Sequence, residues 1–272
     1  MQLKTRRQQL SLTDIFTLQP KVYINIHNNK AMTNLHPTVQ PLPWDSNFFG
    51  WSVGLLTTQQ GPEQSAIPDQ DYRLLYYYGR PEELPKSTWL DQYWMEPVAG
   101  KVTYTKTATA GEEETSPARV HSFQADSPTE ELYALAYDSG IYSRFATDPN
   151  IPTTKFQEMY RMWMDKSVAR TLADEVFVVK DEVGRVIGML TLRKRLADNQ
   201  ASIGLVAVAT AARGQGVATR LMAATEQQTC EWGLHQVSVV TQSNNLPARR
   251  LYEKAGYTVQ EELPCYHLWK KT

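Results

Sequence analysis

Apolar and polar residues alternate along this chain with two different periods. In the C-terminal half, residues 175–180, 185–193 and 201–209 are short runs of branched and apolar residues broken by turn formers, the pattern of successive strands. Val217, Leu221 and Ala224 then recur on one face of a helix. Upstream, residues 120–123 read as a strand. Ser127 reads as the cap of a helix with Pro128 at its first position and Glu130 and Glu131 in its first turn; Leu132, Leu135 and Ala136 form its stripe. Residues 139–152 read as a loop, and Phe156, Met159, Tyr160 and Trp163 mark a second amphipathic helix. Downstream come a strand at 236–241, a short helix and a last strand near 265–269. The predicted order is β-α-α-β-β-β-α-β-α-β.

The N-terminal half carries the same kinds of pattern over a shorter length. Residues 51–56 and 72–78 predict strands, and 98–106 another, with Val102 and Tyr104 alternating against polar neighbours. Between Pro81 and Pro97, the spacing of Trp89, Leu90, Tyr93 and Trp94 predicts a helix. Residues 111–117 are acidic and turn-rich and read as a linker or exposed hairpin. The expected organisation is a poorly ordered polar extension over residues 1–35, an N-terminal α/β half over 36–115 that contributes to the acceptor site, and a second α/β domain over 116–272. The fold class is α/β with a mixed sheet.

Composition narrows the function by exclusion. Among 272 residues, 28 Lys and Arg oppose 29 Asp and Glu, so the net charge of −1 gives no electrostatic case for nucleic acid or a membrane surface. No apolar run approaches the roughly 18 residues of a membrane span. The first thirty residues lack an apolar signal core. The two cysteines, Cys230 and Cys265, have neither metal-ligand spacing nor a disulfide framework, which fits a reducing cytoplasm.

The chemistry enters at Arg213-Gly214-Gln215-Gly216-Val217-Ala218, between a predicted strand and a predicted helix. Amides of such a turn and of the first helical turn lack intrahelical partners, and the helix dipole adds positive potential there. Two glycines let a bulky anion approach the backbone. A pyrophosphate is the expected guest. The turn has neither the Lys-Ser/Thr ending of a nucleotide-triphosphate loop nor the full three-glycine dinucleotide fingerprint.

The turn resembles instead the Arg/Gln-x-x-Gly-x-Gly/Ala loop with which GNAT N-acetyltransferases hold acetyl-CoA. Asn245, Ala248, Leu251, Tyr252, Lys254, Gly256 and Tyr257 are similar to the segment that follows that loop in the family. The resemblance implies a GNAT fold, with the N-terminal half a smaller, reduced version of it, and acetyl-CoA as cosubstrate. It implies that Val206, Ala207 and Val208 pair with the pantetheine arm, one amide serving the thioester oxygen. Arg213 to Ala218 would hold the pyrophosphate, Asn245 would contact the cofactor, and Tyr252 would protonate the departing thiolate. Where relatives carry a Glu-Gly dipeptide this chain has Ala99-Gly100, so Glu96, Asp138 or a water chain is left as the base, with Glu96 the first choice.

Pro43-Trp44-Asp45-Ser46-Asn47-Phe48-Phe49-Gly50 and Ser143-Arg144-Phe145 resemble segments of the dTDP-fucosamine acetyltransferase family. That likeness implies an N-acetyltransferase acting on the 4-amino group of a nucleotide-linked deoxyaminosugar, with Arg144 and Phe145 at the acceptor. Packing between the halves is the expected role of Trp44, Phe48 and Phe49. Two alternatives stay open: a general small-amine or protein acetyltransferase, and a non-catalytic acetyl-CoA-binding module. A homodimer is also left open.

Overall fold

The computed structural model describes residues 35–60, 71–84, 86–110 and 120–272. Nearly all of the polar extension and the whole 111–117 segment lie outside the described residues. The elements run β1 (Leu35–Pro41), α1 (Pro43–Phe49), β2 (Val53–Gln60), β3 (Leu74–Tyr78), β4 (Tyr93–Thr107), β5 (Val120–Ser122), α2 (Glu130–Gly140), α3 (Arg144–Thr147), α4 (Thr153–Val168), β6 (Glu175–Lys180), β7 (Val186–Arg195), β8 (Gln200–Val208), α5 (Val217–Glu231), β9 (Gln236–Gln242), α6 (Leu246–Lys254) and β10 (Thr258–Lys270). From β5 onward this is the predicted order, with α3 added inside the expected loop.

The ten strands of the described residues form one mixed sheet in the order β1-β2-β3-β10-β4-β9-β8-β7-β6-β5. The last strand inserts between β3 and β4, pairing antiparallel with both, and so joins the two halves of the chain. Alternation along each strand sends neighbouring residues to opposite faces. Val176 and Val178 meet α2 and α4 on one face, whereas Phe177 and Val179 meet α5 on the other. Gly188 on β7 shows how closely α5 lies: a Cβ there would stand 2.5 Å from Val217.

Three local predictions need correction. The described residues of 81–97 form no α-helix. Short 3-10 turns at Pro81–Glu83 and Leu90–Gln92 lead into β4, which starts at Tyr93. The aromatic spacing fits a helix, but twelve β10 residues pair with β4 from Tyr93 to Thr105, and that ladder decides the conformation. The cap of α2 is Thr129 rather than Ser127, its side chain accepting from the Leu132 amide. Within the loop after α2, Ser143 caps the four-residue α3. As expected, Phe49 packs in the core, 6.2 Å from the Phe145 ring.

Candidate active site

β8 and β9 run parallel and pair only from Gln200 with Gln236 to Ile203 with Val239. Beyond that point β8 continues to Val208 and β9 to Gln242 without pairing to each other. On its far edge β8 stays with β7, across an irregularity between Leu190 and Leu192. Such irregularities bend a strand, and this one leaves the sheet open between β8 and β9.

Period two decides which amides face the opening. Leu205 and Ala209 donate toward β7, to Thr191 Oγ1 and to the Ile187 carbonyl, each at 2.8 Å. The amides of Val206 and Val208 therefore point into the opening, and that of Ala207 points away. Ala207 offers its side chain rather than its N–H.

A cleft of about 640 Å³ occupies this gap, lined by Ile203 to Val208 and Val239 to Gln242. It also touches α5 and α6, which cover one face of the sheet, and α2, α3, Tyr160 and Trp163, which cover the other. The cleft thus passes through the sheet.

At one end stands the glycine turn. Gly214 and Gly216 have φ of +78° and +76°, values that L side chains rarely adopt. No atom lies within 4 Å of a Cβ built on Gly214, so the backbone, not crowding, demands glycine. Gly216 caps α5 without a side chain, and the Arg220 amide takes the first helical bond at the Gly216 carbonyl, 3.0 Å. Val217, Ala218 and Thr219 precede it, so their amides have no intrahelical acceptor. All three residues line the cleft. Arg213 donates from Nε to the Val208 carbonyl at 3.1 Å and lies 4.0 Å from Asp138, more than half exposed. Gln215 folds its side chain back onto the Ala211 carbonyl at 3.0 Å and does not line the cleft.

Asn245 caps α6, accepting from the Ala248 amide and donating to Thr241 Oγ1 at 3.2 Å, while lining the cleft. Tyr252, in the last turn of α6, has a buried ring 5.5 Å from Tyr104. Its hydroxyl finds no hydrogen-bond partner among the described residues, and burial, followed by Tyr104, pushes the phenol well above its ordinary pKa. Glu96 is a correction: it is exposed on β4 and does not line the cleft. The bulge in the β4–β10 ladder between Cys265 and Tyr266 sets its register, a feature invisible in the sequence.

The other end is made of buried and half-buried side chains from distant positions. Arg144 and Phe145, both carried by α3, line it with Tyr78 and Cys265. Behind them Asp148 accepts from His267 Nδ1 at 2.5 Å, Trp269 Nε1 at 2.8 Å and the Asn150 amide at 2.8 Å. Burial alone would raise the Asp148 pKa; these bonds, His267 foremost, hold it below the usual carboxylate range. Burial also holds His267 down to about 4 despite Asp148, so the imidazole is neutral. Asp45 is raised by burial against the charge of Arg144 and the Tyr76 hydroxyl, which donates to it at 3.1 Å. Sequence reasoning missed this network. Alternation of Cys265, His267 and Trp269 on a predicted strand was a usable signal for one face, but nothing linked them to Asp148 or Asp45.

Residues 131–257 match the acetyltransferase (GNAT) family. This chain contains a GNAT domain. The spore coat polysaccharide biosynthesis protein SpsD of Bacillus subtilis (strain 168) is 31% identical over 141 residues, covering 52% of this chain and 47% of that protein. The chain thus spans about half the length of that relative. A functionally unknown conserved protein from Staphylococcus epidermidis superposes with a TM-score of 0.53 at 13% identity, covering 97% of this chain and 98% of that one, so the fold extends through the N-terminal strands. A putative GNAT acetyltransferase from Novosphingobium aromaticivorans superposes with a TM-score of 0.49 at 19% identity over 75% of this chain and 77% of that one. No helix of the described residues is long and apolar enough to cross a membrane.

Proposed function

We propose that the protein moves the acetyl group of acetyl-CoA to a primary amine, the 4-amino group of a nucleotide-linked deoxyaminosugar, by direct attack in a ternary complex. The observation that carries this reading is the opening between β8 and β9, which ends at unpaired amides of a glycine-capped helix. The amides of the turn and of Val217 to Thr219 suit a diphosphate. The pantetheine arm would lie along Val206 to Val208, like an added strand, with a Val206 or Val208 N–H polarising the thioester carbonyl. Asn245 would fix the arm from the α6 side.

The amine attacks the thioester carbon, the C–S bond breaks, and the proton lost by nitrogen equals the one gained by sulfur. Tyr252 is the group on α6 suited to assist the thiolate. Because burial holds its phenol high, it donates a hydrogen bond to sulfur as charge develops and stays protonated between turnovers. Arg144 and Phe145 would receive the acceptor. The sugar assignment is supported by the polysaccharide-biosynthesis name of the 31% identical relative and by the resemblance of the 43–50 and 143–145 segments.

The test is release of CoA thiol from acetyl-CoA in the presence of a dTDP-4-amino-4,6-dideoxy sugar, alongside a panel of small amines and lysine peptides. Turnover on the sugar nucleotide above the panel supports the proposal. Turnover confined to small amines or peptides replaces the acceptor. Tight acetyl-CoA binding with no turnover on any amine makes the domain a cofactor-binding module.

A further inference from the structure

At the end of the cleft away from the glycine turn, the guanidinium of Arg144 lies against two aromatic rings. Its central carbon is 4.4 Å from the Tyr76 ring centre and 4.2 Å from that of Phe145. Nη1 donates to the Tyr78 hydroxyl at 2.7 Å. Nε and Nη2 are buried and meet no acceptor among the described residues. Those two nitrogens form one edge of the guanidinium plane, the fork that matches two oxygens of a carboxylate or phosphate.

Leaving two donors of a cation dry and unpaired is costly. Ring faces offset the charge but supply no in-plane acceptor. The acid of α1 that feels this charge, Asp45, is engaged by the Tyr76 hydroxyl and forms no ion pair with Arg144. Lys101, also in the cleft, is already paired with Glu261 at 3.0 Å. The position of the fork is fixed from behind. Asp148, which ends α3, is tied to β10 through His267 and Trp269, and Thr147 Oγ1 donates to the Val98 carbonyl on β4 at 2.5 Å.

We propose that the Nε–Nη2 edge of Arg144 is an oxyanion subsite that takes, through two parallel hydrogen bonds, a carboxylate or phosphate group carried by the acceptor. This deepens the acetyl-transfer reading and rests on it for the amine. One guanidinium without a carboxylate partner suits one such group. The fork distinguishes arginine from lysine at this position, since an ammonium gives the charge without the edge.

The test follows the Nε–H resonance of Arg144 in ¹⁵N-labelled full-length protein, assigned by its disappearance in Arg144→Lys. If that variant does not fold, Tyr78→Phe marks the same resonance by removing the Nη1 partner. Acetate and methyl phosphate are titrated separately at constant ionic strength, with chloride as the control. A saturable shift with either anion, absent with chloride, is expected, and the tighter of the two names the group. No saturable shift with either overturns the subsite. In turnover, acceptors bearing that anion should exceed neutral analogues by about 10- to 100-fold in kcat/KM, and Arg144→Lys should erase the preference. Equal use of both by the wild type also overturns it. A saturable shift in a protein that acetylates no amine removes the acetyl-transfer reading and leaves the subsite standing.

Discussion

At the glycine-turn end of the cleft, the groups that face the ligand space are backbone amides, set by two left-handed glycines and the first turn of α5. At the α3 end they are side chains, set by a buried network that joins α1, α3, β3 and β10. A site of the first kind is compact in sequence and tolerant of its surroundings, since the peptide units bring their own dipoles. A site of the second kind is spread over more than two hundred positions, from Asp45 to Trp269, and each member depends on the others to offset burial. The first suits the constant part of a reaction, a common cosubstrate, and the second the variable part, an acceptor. That contrast can be broken or sharpened by substitution.

The largest effect belongs at the network. Asp148→Ala leaves the His267 and Trp269 donors buried and unpaired, so stability should fall by about 3–5 kcal/mol, read by denaturant unfolding. Retention of wild-type stability would mean that the α3 end is not held by its polar contacts. Acid should act on the same place. His267 titrates at 6.5 when unfolded and near 4 when folded, so between those values the unfolded chain binds a proton that the native state refuses. Its contribution is therefore complete above pH 6.5 and lost as pH falls toward 4, by roughly 3 kcal/mol. Thermal melts from pH 7 to 4.5 should show this slope, and His267→Asn, which keeps a donor for Asp148 but does not titrate, should flatten it.

At the meeting point of the two ends, Tyr252→Phe should lower kcat about 100-fold, near 2.7 kcal/mol, with acetyl-CoA affinity unchanged by calorimetry. A parallel loss of affinity would move Tyr252 from chemistry to packing. Gly214→Val forces a branched side chain to φ +78°, costing about 1–2 kcal/mol of local strain. It should raise KM for acetyl-CoA roughly tenfold while leaving the acceptor KM in place; an equal rise in both would dissolve the division between the ends. The smallest effect is expected from Glu96→Gln, which lies outside the cleft: kcat and both KM values should stay within about twofold, and a larger drop in kcat with preserved folding would restore Glu96 as a base.

Apart from α3, which falls in the expected loop, the strands and helices from β5 onward were legible because each has a period that its own residues impose. Phe156, Met159, Tyr160 and Trp163 recur at helical spacing and all are buried on α4. The glycine turn was legible for a related reason, that positive φ selects glycine at Gly214 and Gly216 whatever lies around them. Residues 81–97 misled because their aromatics fit a helix locally, while the long pairing of β4 with β10 is a contact across some 170 positions. Glu96 misled in the same way, its face being fixed by a bulge in that ladder.

What the chain determined by itself was therefore local: periods, and a glycine turn whose backbone chemistry suits an anion. The folded arrangement alone decided which amides of β8 face the gap, that β10 divides β3 from β4, and that Asp148, His267, Tyr76 and Arg144 join in one cluster of contacts. Amide direction depends on where pairing stops, and burial of charge depends on neighbours far along the chain. Neither is a property of any short stretch of residues.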